Sequence, residues 1–229
     1  MSLPVRVGTL LVAFLAVVGG AIFVVIHFFL TGPPVIDFTA GASGPGTQVN
    51  IVLQEAPQTT VSTKPDWVSY FIQDPTTKKW VHTTLFKVPA GATVNVTVFG
   101  YDGCTPARNQ FFGKVTGTIG NTETIDGKTV RAVDTWRTCS VGHTFSIPGI
   151  GLNVPMGSPT TIAENNALCT QSPCTSGPKT TMKFSFHAPT TPGAYFWQCR
   201  IPCGGGFVTG FGGPMQTIGY MTGQMEVAS

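Results

Sequence analysis

From Val7 to Leu30 the chain reads VGTLLVAFLAVVGGAIFVVIHFFL, an apolar run without Lys, Arg, Asp or Glu. As a helix, such a run is long enough to cross a hydrocarbon core of about 30 Å. The apolar part of a cleaved signal peptide is about 7–15 residues long and ends at a small-residue cleavage motif. This run is longer and ends HFFLTGPP, so residues 1–30 read as a retained membrane anchor. Arg6 and the amino terminus precede it, and the positive-inside rule puts them in the cytoplasm and everything after Thr31 outside. The expectation is a single-pass protein of the cell membrane with an extracytoplasmic domain. His27, near the outer end, is placed to reach the interface, and Gly19-Gly20 permits close approach of another helix.

The pattern then changes. Residues 31–48, TGPPVIDFTAGASGPGTQ, read as a linker. From Val49 onward short alternating runs recur between turn residues: VNIVLQ, WVSYFIQ, WVHTTLFKV, TVNVTVFGY, TFSIP, TMKFSFHA, AYFWQC and GQMEV. Period-two runs at this spacing predict an all-β sandwich or barrel over residues 49–229. Two stretches interrupt them. Residues 101–141 carry Cys104 and Cys139 around a hairpin expected to turn at Asp126-Gly127. Residues 157–179 carry Cys169 and Cys174 in a polar loop.

Composition narrows the function. Only 10% of the 229 residues are charged, beside 28 Gly and 18 Pro, which favours strands and turns; at 42% hydrophobic the chain is too apolar for disorder. The net charge of +3 includes no basic run that could follow a phosphate backbone, so nucleic acid is not an expected partner. There is no HExxH, no phosphate-binding Gly loop, no Ser-His-Asp context and no carboxylate pair in a recognisable setting. Six cysteines outside the cytoplasm invite disulfides. Proximity suggests Cys104 with Cys139 and Cys169 with Cys174, which leaves Cys199 and Cys203.

Those two stand in FSFHAPTTPGAYFWQCRIPCGGGF. Two thiols four positions apart on a loop can face one soft ion or oxidise to a small-ring disulfide. Upstream, GHTFSIP places His143 at the start of a short apolar strand, where a lone His is ordinarily a polar residue at a strand edge. Trp197, just before the loop, reads first as one face of a strand, and second as a route for electrons.

Taken together, GHTFSIP, the C-x3-C-G loop after an apolar strand and the GQMEV closing strand resemble the cupredoxin domain of haem-copper oxidase subunit II. The likeness covers roughly half the chain. It implies a cupredoxin-like Greek-key β-sandwich with one N-terminal transmembrane helix. Members of that family hold the dinuclear copper centre CuA with two His, two bridging Cys, a carbonyl between them and a Met. The resemblance places the first His at His143, the thiolates at Cys199 and Cys203, and the carbonyl at Ile201.

The chain departs from the family after Cys203. The positions of the second His and the Met are Phe207 and Gly210, and no His follows Cys203. Met215 or Met221 can supply a thioether, while His187 and His82 have little positional claim. An intact CuA centre is therefore not expected. Three states are open: one copper at most, held by His143, Cys199, Ile201, Cys203 and Met215; a Cys199–Cys203 disulfide without metal; or zinc at a Cys2His site. The implied role is a subunit-II-like component of a membrane respiratory or copper-dependent oxidoreductase, packed on a multi-span catalytic subunit. It would transfer electrons if copper is bound, and otherwise be structural, as in quinol oxidases. The alternatives are a free-standing membrane-anchored copper-binding or interaction protein, and a secreted disulfide-stapled adhesion-like β domain.

Overall fold

The computed structural model describes residues 3–26, 32–41, 46–57, 66–138, 140–159, 169, 171–203 and 213–229. His27, Cys139 and positions 207 and 210 lie outside the described residues. The chain divides into two units, Met1–Pro33 and Pro34–Ser229.

The first unit contains helix α1, Leu3–Val24. Its stretch Val7–Val24 has a mean hydropathy of 2.6. At 1.5 Å per residue, 18 residues span about 27 Å. By length and composition the helix suits a membrane anchor or a signal sequence.

The second unit is mostly β-sheet. In chain order its strands are β1 (Val35–Asp37), β2 (Gln48–Ala56), β3 (Ser69–Gln73), β4 (Trp80–Val81), β5 (Leu85–Pro89), β6 (Thr93–Gly100) and β7 (Glu123–Ile125). There follow β8 (Lys128–Val130), β9 (Val141–Ile147), β10 (Leu152–Gly157), β11 (Thr180–His187), β12 (Gly193–Gln198) and β13 (Thr222–Ala228). One sheet runs β1-β5-β13-β12-β9-β10 and the other β4-β3-β2-β6-β11-β7-β8.

The alternation read in the sequence is visible strand by strand. In β6 every second residue from Val94 to Gly100 is buried and its neighbours are half-buried, and β11, which pairs with it antiparallel, alternates in the same way. The buried rows of the two sheets meet in one core. Trp197 of β12 packs against Phe145 of β9 at a ring distance of 4.6 Å and edge-on to Tyr70 of β3 at 5.2 Å. Phe145 also reaches Phe184 of β11 at 5.8 Å. The Trp197–Tyr70 and Phe145–Phe184 contacts cross from one sheet to the other, and each ring removes a large apolar area from water.

Three features differ from the sequence reading. The stretch taken as linker contains β1, which pairs parallel with β5 and buries Ile36. Leu152–Gly157 is a strand although it contains Pro155; β10 lies at the end of its sheet, where a missing N–H is tolerated. The segment after β6, read only as an insertion with a hairpin, also packs onto β10: Thr116 bridges Asn153, whose Nδ2 donates to Lys114 O at 2.6 Å. Within that segment β7 and β8 form a hairpin turning at Asp126 and Gly127, both with positive φ (45° and 82°) as an Asp-Gly turn requires.

Cys169 and Cys174 are joined in a disulfide, and the Gln54 side chain ties that loop to β2 by donating to Cys174 O at 2.8 Å. Cys104 is also disulfide-bonded.

Candidate metal centre

Strand pairing assembles the site from distant parts of the chain. β9 carries His143. β12 pairs with β9 at Gln198 and Ser146, so the chain leaving β12 passes alongside Thr144. There Thr144 N–H points at Cys199 Sγ (3.4 Å), Arg200 N–H donates to Thr144 Oγ1 (2.7 Å), and Cys199 N–H donates to Met221 O (2.8 Å). The loop is thus pinned on both sides before it turns through Ile201 to Cys203.

Two further groups arrive by another register. β2 runs parallel to β6 with Glu55 opposite Gly100, and Tyr101 N–H donates to Glu55 O at 3.0 Å. Asp102 follows directly, and Thr105 N–H fastens this segment to β9 through Val141 O at 3.0 Å. Gly142 is required at the contact, because a Cβ there would run into Gly103 O.

Both cysteines are buried free thiols. Their sulfurs stand 2.9 Å apart, beyond the bond length of about 2.05 Å, so the disulfide state considered from the sequence is not the one seen. His143 Nδ1 lies 2.7 Å from Cys203 Sγ and 3.7 Å from Cys199 Sγ. Ile201 O faces both sulfurs, at 2.8 Å from Cys203 and 3.2 Å from Cys199. Two sulfurs, an imidazole nitrogen and a carbonyl therefore converge in one buried spot, and this donor set fits a single soft ion.

The other face of the ring is acidic. His143 Nε2 is 2.8 Å from Asp102 Oδ2 and 3.0 Å from Glu55 Oε1. A carboxylate on one ring nitrogen fixes the tautomer and leaves the other lone pair for a metal. The electrostatics follow from this crowding. Burial pushes the Glu55 carboxyl up to about 8, against the pull of His143 and with the Asp102 and Cys199 charges adding to the rise. Burial alone would hold His143 neutral, but the Glu55 charge, the Asp102 hydrogen bond and the Cys199 thiolate together raise it well above the usual histidine range. For Asp102, the His143 hydrogen bond and charge outweigh burial and keep the carboxyl below its ordinary value. Burial works against ionisation of Cys199 too, yet hydrogen bonds from Cys203 and His143 bring it well below the usual thiol range. Cys203 is pushed well above that range by burial and by Cys199 beside it.

His143, Cys199, Ile201 and Cys203 are thus brought together. Met215 sits on the short 3-10 turn Pro214–Gln216, half-buried against the core, with its carbonyl accepting from Gln198 Nε2 at 2.7 Å. His187 is exposed at the end of β11, its Nδ1 3.4 Å from Thr93 Oγ1, and His82 packs between Phe71 and Tyr220. Neither belongs to the cluster. The sequence reading found no carboxylate pair; the structure provides one in Glu55 and Asp102. The only sequence sign was a Glu inside the apolar run VNIVLQEA, where a charge has to meet a partner. A cavity of about 330 Å³ opens beside the site, lined by Pro57, Asp66, Trp67, Asp102, His143 and Cys203 among others.

No family model matches the chain, and no curated protein matches it. Among solved structures it is similar to rusticyanin, a copper protein, at 17% identity and a TM-score of 0.36, covering 86% of this chain and 85% of that one. A methionine-to-leucine variant of rusticyanin gives 18% and 0.34 over 86% and 84%. Rusticyanin from Thiobacillus ferrooxidans gives 17% and 0.32 over 81% and 84%. A likeness at these TM-scores shows nothing about metal, partner or reaction.

Proposed function

We propose that this chain is a membrane-anchored, cupredoxin-like protein with a Greek-key sandwich outside the membrane, holding a single copper ion for one-electron transfer. The observation that carries the proposal is the convergence of His143 Nδ1 and Ile201 O on the two thiols, each facing both sulfurs, buried from water. Copper, when bound, supplies the exchange between its one- and two-positive states. The chain's own residues hold the geometry that such exchange needs. Cys199 and Cys203 share charge with the ion, and Thr144 N–H moderates the charge on Cys199. Asp102 keeps the imidazole turned with Nδ1 inward, and the two sheets limit how far the donors can move between states.

The wider setting we favour is a subunit-II-like component of a membrane oxidoreductase, resting on a multi-span catalytic subunit with its amino terminus in the cytoplasm. The apolar helix and the C-x3-C loop after an aromatic strand support this. Only one ion is expected, because a dinuclear centre needs a second imidazole and no His follows Cys203.

Metal analysis of the detergent-purified full chain tests the copper reading. One copper per chain, lost in Cys199→Ser and in Cys203→Ser, supports it; two coppers with a mixed-valence signal reject it. Co-purification with haem-bearing subunits tests the setting. A lone chain that carries copper would favour the free-standing anchored protein.

A further inference from the structure

The carboxylate side of His143 is more than a support for the ring. Nε2 can carry one proton, yet two carboxylate oxygens close on it, Asp102 Oδ2 at 2.8 Å and Glu55 Oε1 at 3.0 Å. Glu55 is only 1% exposed, and its second oxygen, Oε2, is buried with no hydrogen-bond partner among the described residues. A buried carboxylate is strongly unfavourable unless a cation, a proton or hydrogen bonds offset its charge. The chain nevertheless buries Glu55 beside Gly100 and Gly142, where a Cβ would stand in ordinary contact, 3.5 Å, with one carboxyl oxygen each.

We propose that Glu55, Asp102 and His143 Nε2 form a second metal site, for a divalent cation of the zinc class, on the opposite side of the imidazole from the thiols. One nitrogen and two carboxylates suit such an ion, whereas the thiol side suits copper(I). The three donor atoms lie within 4.8 Å of one another. Tetrahedral zinc, with bonds of 2.0–2.2 Å, wants donors about 3.3 Å apart, so Asp102 Oδ2 and Glu55 Oε1, at 2.8 and 3.0 Å, each need to move outward from Nε2 by a few tenths of an ångström. Three protein donors leave a fourth position, and Asp102 and His143 both line the cavity of about 330 Å³, which gives the ion and a water a way in. Binding displaces the Nε2 proton and the proton that burial keeps on the Glu55 carboxyl up to about pH 8. With the thiol side also filled, the ring gives up both N–H protons and is shared as an imidazolate between two unlike ions.

This site shares a ring with the copper reading but does not depend on it. The test uses the untagged full chain in detergent with both cysteines changed, Cys199→Ser/Cys203→Ser, titrated with zinc alone and in parallel with cobalt(II). The expected result is one zinc per chain, and a cobalt spectrum with ligand-field bands but no thiolate charge-transfer band. Adding Asp102→Asn or Glu55→Gln should abolish both. If the double serine variant does not fold, the unchanged chain saturated with silver(I), which occupies the thiols, is titrated in its place. A folded chain that takes up no zinc, or one that keeps its zinc after Asp102→Asn and Glu55→Gln, overturns the proposal. Copper binding at the thiols can succeed or fail separately, because it is measured on the unchanged chain.

Discussion

His143 and Asp102, 41 positions apart in sequence, meet through Nε2 and Oδ2 at 2.8 Å, and this contact decides which way the ring faces. With Nε2 donating to Asp102, Nδ1 is left on the side of Cys203, where an ion can replace its proton. Losing such a partner typically lowers metal affinity about 10–100-fold. Asp102→Asn should therefore weaken copper(I) binding by that factor in a chelator competition while the far-UV spectrum stays unchanged. Unaltered affinity would show that the thiols and the loop orient the ring without help.

Glu123 offers a second test, away from the site. It is 2% exposed, neither carboxyl oxygen has a hydrogen-bond partner, and burial pushes the group well above its ordinary value. A carboxyl raised in the folded state binds its proton more tightly there than in the unfolded chain, where it titrates near about 4.3. Its contribution is fully present below the unfolded value and is lost as pH rises toward the folded one. Glu123→Gln removes this dependence. The variant's advantage in thermal midpoint over the unchanged chain should grow from pH 5 to pH 8, and an advantage that is flat with pH would mean that Glu123 ionises without cost.

The parts of the molecule legible in the sequence are those whose signal is local. In β6 and β11 the alternation is carried by neighbouring residues, so TVNVTVFG and TMKFSFH can be read directly. Cys199, Ile201 and Cys203 lie within five positions and announce themselves by spacing. β1 could not be read, because three residues between a proline pair and a glycine-rich stretch carry no periodicity; only pairing with β5 makes them a strand. Pro155 masked β10 in the same way. Glu55 and Asp102 reach His143 through the β2–β6 register and the tie from Thr105 to Val141, which are relations between strands and leave no mark on a single stretch of chain.

The core makes a sharper demand at Gly223 of β13. A Cβ built there would fall on the Thr84 carbonyl oxygen and crowd the Trp197 indole nitrogen, which donates to that same oxygen at 3.0 Å. Overpacking a well-filled interior costs about 1–3 kcal/mol, and more where backbone blocks the way. Gly223→Ala should lower the denaturant midpoint by at least the equivalent of that cost. A variant as stable as the parent would show that β5 and β13 can separate freely at this point.

The thiol side makes a prediction about protons. Before an ion binds, His143 is held protonated by Glu55, Asp102 and Cys199, Cys203 is held as a thiol by burial and by its neighbour, and Cys199 is the group that ionises. A soft ion bound by both sulfurs and Nδ1 must replace the Cys203 proton and the proton on Nδ1, because ligands bind deprotonated. Two protons should therefore leave for each copper(I) taken up. By linkage, affinity should rise roughly 100-fold for each pH unit over the range in which both protons are in place. The sign follows from the direction of the shifts: both groups are raised, so low pH favours the metal-free form. Chelator competition at pH 6, 7 and 8, with proton release followed by an indicator dye, measures both quantities. Release of one proton would mean that either Cys203 or His143 Nδ1 keeps its proton and does not bind the ion. Release of none would mean that the site stands deprotonated in the free chain, contrary to the charge balance read from Glu55, Asp102 and His143.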